Sequence, residues 1–177
     1  MFLCQMSGIP GSGKSTLAKE MSRITKAVLI NTDVLKSSVM TSFENEIDFK
    51  FAGKVSYDAA FALADSNLAI GNSVIIDSPC GYEIIWERGI YLSRMHSASY
   101  KFVECYLKDL HELNRRRTDR EILPSQACNV PINALEYQES IKYLKRPAGY
   151  EYLLIDTSPS VEEYIEKTIN YLITPNA

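Results

Sequence analysis

In the stretch GIPGSGKST, residues 8–16, Gly8 is followed by four residues and then by Gly13, Lys14 and Ser15. This is the G-x-x-x-x-G-K-[ST] spacing of a phosphate-binding loop. Glycines there let the backbone curl with positive φ and turn its N–H groups inward, and the following helix adds the positive end of its dipole. Lys14 can reach the β- and γ-phosphates of a nucleoside triphosphate, and the Ser15 hydroxyl can hold a Mg2+ that bridges them. Gly8, Gly11, Ser12, Gly13, Lys14, Ser15 and Thr16 are therefore the candidate nucleotide-binding residues, with ATP and Mg2+ the expected cofactors. A glycine-rich turn that contains Lys-Ser by chance is the bland alternative. The flanks argue against it: Phe2 to Met6 reads as a short buried strand, and Leu17, Ala18, Met21 and Ile24 recur at helical spacing beyond the loop.

Two carboxylates end strand-like runs. Asp33 follows Val28-Leu29-Ile30-Asn31-Thr32 and Asp77 follows Val74-Ile75-Ile76, so both should emerge on the rim that carries the phosphate loop. An acceptor hydroxyl needs a carboxylate to take its proton during in-line phosphoryl transfer, and Mg2+ needs an acidic or water-mediated partner opposite Ser15. Asp33 is the candidate base and Asp77 the candidate metal contact; each could instead merely cap the next helix. Further on, Arg116 and Arg120 stand four apart in LNRRRTDR. On a helix they share one face and could grip a polyphosphate, stabilising the charge that spreads over a transferring phosphoryl group. With Glu112, Asp119 and Glu121 as ion-pair partners, the same segment could be a solvated helix face. Arg115 and Arg117 point elsewhere, so at least one is expected to be ordinary surface.

The elements that must position these groups alternate. Strand-like runs at Phe2 to Met6, Ala27 to Ile30, Ser73 to Ile76, Lys101 to Leu107 and Tyr152 to Ile155 are separated by helical patterns. The helical stripes are Val55, Ala59, Leu63 and Ile70; Ile84, Ile85, Leu92 and Met95; and Val161, Ile165, Ile169 and Leu172. Such alternation predicts right-handed crossovers and a five-stranded parallel sheet with helices on both faces, ligands collecting at the strands' C-terminal ends. The irregular zone Glu121 to Pro131 reads as part of a mobile flap. A length of 177 residues without linker or repeat predicts one domain, 1–177, with a lid at about 109–131.

Composition sets outer limits. Hydrophobic residues make up 46% and charged residues 23%, and no apolar run approaches a membrane span. The first strand leaves no room for a signal peptide, so a cytoplasmic location is expected. Cys4, Cys80, Cys105 and Cys128 form no C-x-x-C pair, which argues against a zinc site or a disulfide frame. A net charge of −3 and an isoelectric point near 5.5 disfavour an extended nucleic-acid groove, though a short nucleic-acid end or a small molecule still fits.

Taken together, GIPGSGKST, NTDVLK, VIIDS, RRTDR and VPINAL resemble the P-loop kinase family of polynucleotide 5′-hydroxyl kinases and small antibiotic or metabolite phosphotransferases, over roughly residues 2 to 145. The resemblance implies Lys14 and Ser15 in the phosphate loop, Asp33 as general base, Asp77 as the strand-end aspartate, and Arg116 and Arg120 as the paired arginines of an arginine-bearing lid. It also implies that Lys36, three residues beyond Asp33, occupies the acceptor-binding position where polynucleotide kinases carry arginine; a lysine is a point charge without the bidentate fork. Ser78, Pro79 and Cys80 likewise depart from the Thr-Asn of those kinases. These departures favour a small-molecule hydroxyl as the phosphate acceptor, with a polynucleotide 5′-hydroxyl kinase and a nucleotide-dependent regulatory ATPase as alternatives. Phe43, Phe49, Phe51 and Tyr57 could line the acceptor pocket or fill the core.

Overall fold

The computed structural model describes residues 1–120, 123–126 and 130–175; Glu121 and Cys128, both named above, lie outside the described residues. Five strands form one sheet: β1 (Phe2–Ser7), β2 (Val28–Asn31), β3 (Val74–Asp77), β4 (Ser99–Tyr106) and β5 (Leu153–Asp156). Their order is β2-β3-β1-β4-β5 and every pairing is parallel. The register aligns Asn31 with Asp77 and Ser7 with Glu104, so the polar C-terminal ends of the strands open on one edge.

Both faces are covered, as a parallel sheet requires. On one side α1 (Lys14–Thr25) and α7 (Val161–Ile173) bury Leu17, Met21 and Leu172 against Cys4, Met6, Ile75 and Val103. On the other, α3 (Phe49–Ala69) and α4 (Glu83–Met95) pack Phe61, Ala64, Leu68, Ile85 and Ile90 on Leu3, Ile76 and Phe102. The stripe expected on α3 is displaced. Leu63 is 44% and Ile70 75% exposed, while Ala52, Ser56, Ala60 and Ala64 face inward, because small side chains let a 21-residue helix lie close to the sheet. On α4, Ile84 and Met95 are likewise exposed, and Gly89 faces inward, where a Cβ would strike the Gln5 side chain. The stripe on α7 packs as expected against the core. Its last turn is tied down by buried Lys101, whose Nζ donates to the Thr174 carbonyl at 2.7 Å.

Three further helices edge the phosphate loop: α2 (Thr32–Ser42), α5 (Leu110–Thr118) and α6 (Ala134–Tyr143). Each starts with a side-chain cap: Asn31, Asp109 and Asn133 respectively, the last in a reciprocal box with Glu136. These caps satisfy the first N–H groups of each helix and fix where its chain turns.

Candidate active site

The phosphate loop lies between β1 and α1. Gly8, Gly11 and Gly13 all hold positive φ, at 140°, 90° and 79°, and neighbours crowd the loop from outside. A Cβ on Gly8 would lie 2.6 Å from the Cys105 carbonyl oxygen, and one on Gly11 2.9 Å from the Leu113 carbonyl oxygen. Only glycine fits such a curl. No side chain caps α1, so its first N–H groups remain available to an anion. Residues 8–16 line a cleft of about 1430 Å3, together with Lys19, Asp33, Arg115, Arg116, Arg117 and Arg120.

Lys14 and Asp77 meet. Lys14 Nζ donates to Asp77 Oδ1 at 2.8 Å, with side chains 11% and 1% exposed. Burial alone would push the Lys14 ammonium down, but the charge and hydrogen bond of Asp77 outweigh it and the net shift is upward. The second Asp77 oxygen accepts from Asn31 Nδ2 at 2.8 Å. Asn31 Oδ1 in turn accepts from the Asp33 and Val34 backbone N–H groups. One asparagine thus joins the aspartate at the end of β3 to the first turn of α2. Nothing in the run NTD announced this double duty beyond the capping preference of asparagine.

The capping alternatives for both aspartates fall away. Asn31, not Asp33, caps α2, and Asp77 caps nothing because α4 begins six residues later behind Tyr82. Asp33 stands in the first turn of α2 with its side chain in the cleft, close enough to add to the charges acting on Lys14. Lys36 lies one turn further along, its Nζ 2.9 Å from the centre of the Phe49 ring. Burial pushes the Lys36 ammonium down, with Asp33 and Asp48 pulling the other way. Of the aromatic residues, Phe49 lines the cleft, Tyr57 packs against the α3–α4 core, and Phe43 and Phe51 are exposed.

The arginines divide differently from the expected helical face. The helix α5 ends at Thr118 with Asp119 as its C-cap, so Arg116 and Arg120 do not share a helical face; both nevertheless line the cleft. Arg116 Nε donates to Glu112 at 2.7 Å and its Nη2 donates to the Thr157 carbonyl at 3.0 Å. Arg115, half-exposed at the cleft wall, is paired with Glu112 and Asp119. Arg117 is the surprise, 5% exposed, with donor contacts to the carbonyls of Val130 and Pro10. It braces the phosphate loop itself. Hydrogen bonds from Arg115 and Arg116 hold the Glu112 carboxyl down at about 2.

The segment after β5 was not singled out by sequence, and within the expected lid neither Ser125 nor Gln126 was. Thr157, buried after β5, donates to the Ser12 carbonyl at 2.9 Å and packs against Gly13, while Pro159, Ser160 and Tyr164 form the adjoining wall. Opposite, Ser125 and Gln126 reach α2: Gln126 Nε2 donates to Asp33 Oδ2 at 2.8 Å. Loop contacts spanning more than ninety residues leave no periodic trace in a sequence. For a metal, the Ser15 hydroxyl and Asp77 carboxylate are hard oxygen donors of the kind Mg2+ takes, supplemented by water and phosphate. Both Asp77 oxygens are already engaged, which suits contact through water. Among the described residues no group of three or more His, Cys, Asp or Glu gathers into a site that would hold a metal without a ligand.

A glycine-lined loop between the central strand and α1, beside a strand-end aspartate in a 2-3-1-4-5 parallel sheet, defines a P-loop NTPase fold. The family model described as AAA domain matches residues 3–141, and the chain belongs to that family. No protein of curated function matches the sequence. Among solved structures, similarity extends to a proposed kinase from Chloroflexus aurantiacus, 18% identical, with 97% of this chain and 98% of that one covered and a TM-score of 0.73. A sugar kinase from Janibacter is also 18% identical, with 97% and 94% covered and a TM-score of 0.67. The APS kinase of Mycobacterium tuberculosis, solved with AMPPNP and APS, is 14% identical, with 98% of each chain covered and a TM-score of 0.63. At these identities the likeness carries the fold. No helix among the described residues is long and apolar enough to cross a membrane.

Proposed function

We propose that this chain is an ATP-dependent phosphotransferase that moves the γ-phosphate to a hydroxyl of a small molecule. The observation that carries the reading is the position of Asp33: a carboxylate that caps no helix, standing in the same cleft as the phosphate loop. The cleft, at about 1430 Å3, exceeds the roughly 300–1,000 Å3 usual for one small ligand, which leaves room for two reactants. Kinases of small molecules among the structural neighbours support the same reading through their fold.

The residues divide the work as follows. The N–H groups of residues 8–16 cradle the phosphates, and Lys14 leaves Asp77 to neutralise the β/γ oxygens. Asp33 takes the proton of the acceptor hydroxyl as its oxygen bonds to the γ-phosphorus; the bond to the β–γ bridging oxygen breaks, and ADP leaves. Arg116 and Arg120 stabilise charge on the transferring group from the lid, a segment we assign to about 109–131 of a single domain, 1–177. Ser15 and Asp77 would hold Mg2+, which would supply charge neutralisation to the transferring phosphate. Lys36 would attract an anionic group on the acceptor. A cytoplasmic location is part of the proposal.

Two other readings are distinguished by one assay. ADP release is followed with and without a pool of hydroxylated metabolites, and separately with 5′-hydroxyl oligonucleotides. A small-molecule kinase is stimulated by the metabolite pool. Stimulation by oligonucleotides alone would instead identify a polynucleotide 5′-hydroxyl kinase, and hydrolysis indifferent to both additions would identify a regulatory ATPase.

A further inference from the structure

The Gln126 side chain is held at both ends. Its Oε1 accepts from the Leu123 backbone N–H at 3.4 Å, within a turn closed by the Gln126 N–H to the Leu123 carbonyl at 2.8 Å. That fixes the amide with its NH2 toward Asp33, where Nε2 donates to Oδ2 at 2.8 Å. The turn is anchored beside it on α2. Ser37 donates its hydroxyl to Ser125 Oγ at 2.8 Å, Ser125 donates its own to the Asp33 carbonyl at 2.9 Å, and the Ser125 N–H donates to Ser37 Oγ at 3.1 Å. Donors and acceptors alternate without conflict, and both serines are buried.

We propose that Gln126 is a positioning residue that orients the Asp33 carboxylate toward the acceptor. This rests on the reading of Asp33 as base. One carboxylate oxygen is taken by the amide, which leaves the other to receive the hydroxyl proton. A neutral amide does this without the full positive charge of a lysine or arginine, which would stabilise the carboxylate and weaken it as a base.

The test is a double-mutant cycle on phosphoryl transfer from γ-labelled ATP to two probes, D-gluconate and water, water being always present as an acceptor. Gln126→Leu is expected to lower kcat by about ten- to a hundredfold, the scale of a misplaced reacting group, with KM for ATP and thermal midpoint unchanged. Gln126→Glu, which sets a like charge beside Asp33, should do the same. The Asp33→Asn/Gln126→Leu double variant should transfer at the rate of Asp33→Asn alone, as expected for residues acting through one group. Losses that add, a defect confined to KM, or a faster Gln126→Leu enzyme would overturn the proposal while leaving Asp33 as base. If Asp33→Asn alone equals wild type, the base assignment fails and Gln126 falls with it.

Discussion

Lys14 illustrates how much a single contact alters an expectation. As an exposed loop lysine its removal should leave the fold intact. The structure instead pairs it with an Asp77 side chain that is 1% exposed, so Lys14→Ala strands a buried carboxylate. Breaking a buried pair typically costs ~3–5 kcal/mol; here about 2 kcal/mol is expected, because the open cleft can hydrate Asp77. Calorimetry should show that loss, and Lys14→Ala/Asp77→Asn should recover much of it, while phosphoryl transfer stays down by orders of magnitude in both. Ser15→Ala should act through the metal, with a defect partly relieved by raising Mg2+ and wild-type transfer abolished by a chelator; indifference to Mg2+ would remove Ser15 and Asp77 from the site. Lys14, Ser15 and the glycines were legible because a phosphate cradle needs particular residue types at fixed spacing. Asn31, Thr157 and Gln126 were not, since they act through long-range hydrogen bonds.

Among the elements, α5 holds Arg115 and Arg116 through Glu112. Its carboxyl lies below the ordinary 4.5, at about 2, through the Arg115 and Arg116 hydrogen bonds. A depressed acid contributes above its unfolded value and loses that contribution as pH falls through the folded one. The pairs of Glu112 with Arg115 and Arg116 should therefore persist to about pH 4.5 and fade toward pH 2, as arginine side-chain resonances would report; Glu112→Gln should abolish that titration. The phosphate loop offers a sharper case. Gly8→Ala puts a Cβ 2.6 Å from the Cys105 carbonyl at φ 140°, so it should cost more than ~1 kcal/mol and lose nucleotide binding, measurable by melting with and without ATP. The strands were readable to within one or two residues as short apolar runs with polar ends. The α3 face was not, because alanines and a serine that pack by being small give no hydrophobic stripe, and α6 went unread although Asn133 and Glu136 form a capping box.

Across the whole molecule, the parallel sheet brings residues from opposite ends of the chain to one rim: Lys14 after β1, Asp33 after β2, Asp77 ending β3 and Thr157 after β5. That gathering follows from alternation of strands and helices, which is why the architecture was legible when several side-chain partners were not. If the arginine-bearing segment closes over nucleotide, protease cleavage within residues 115–131 should slow on adding a nonhydrolysable ATP analogue; equal rates would leave Arg116 and Arg120 as cleft walls only. The most direct measurement concerns Asp33, whose side chain caps no helix. Wild type and Asp33→Asn are compared for transfer of labelled γ-phosphate into a phosphomonoester, using the acceptor that best stimulates ADP release, alongside nucleotide affinity and thermal midpoint. A general base contributes about 10²- to 10⁴-fold, so Asp33→Asn should lose at least about a hundredfold in transfer with affinity and midpoint nearly unchanged. Undiminished transfer by a folded Asp33→Asn, or label recovered only as inorganic phosphate from the wild type, would contradict a hydroxyl-directed kinase.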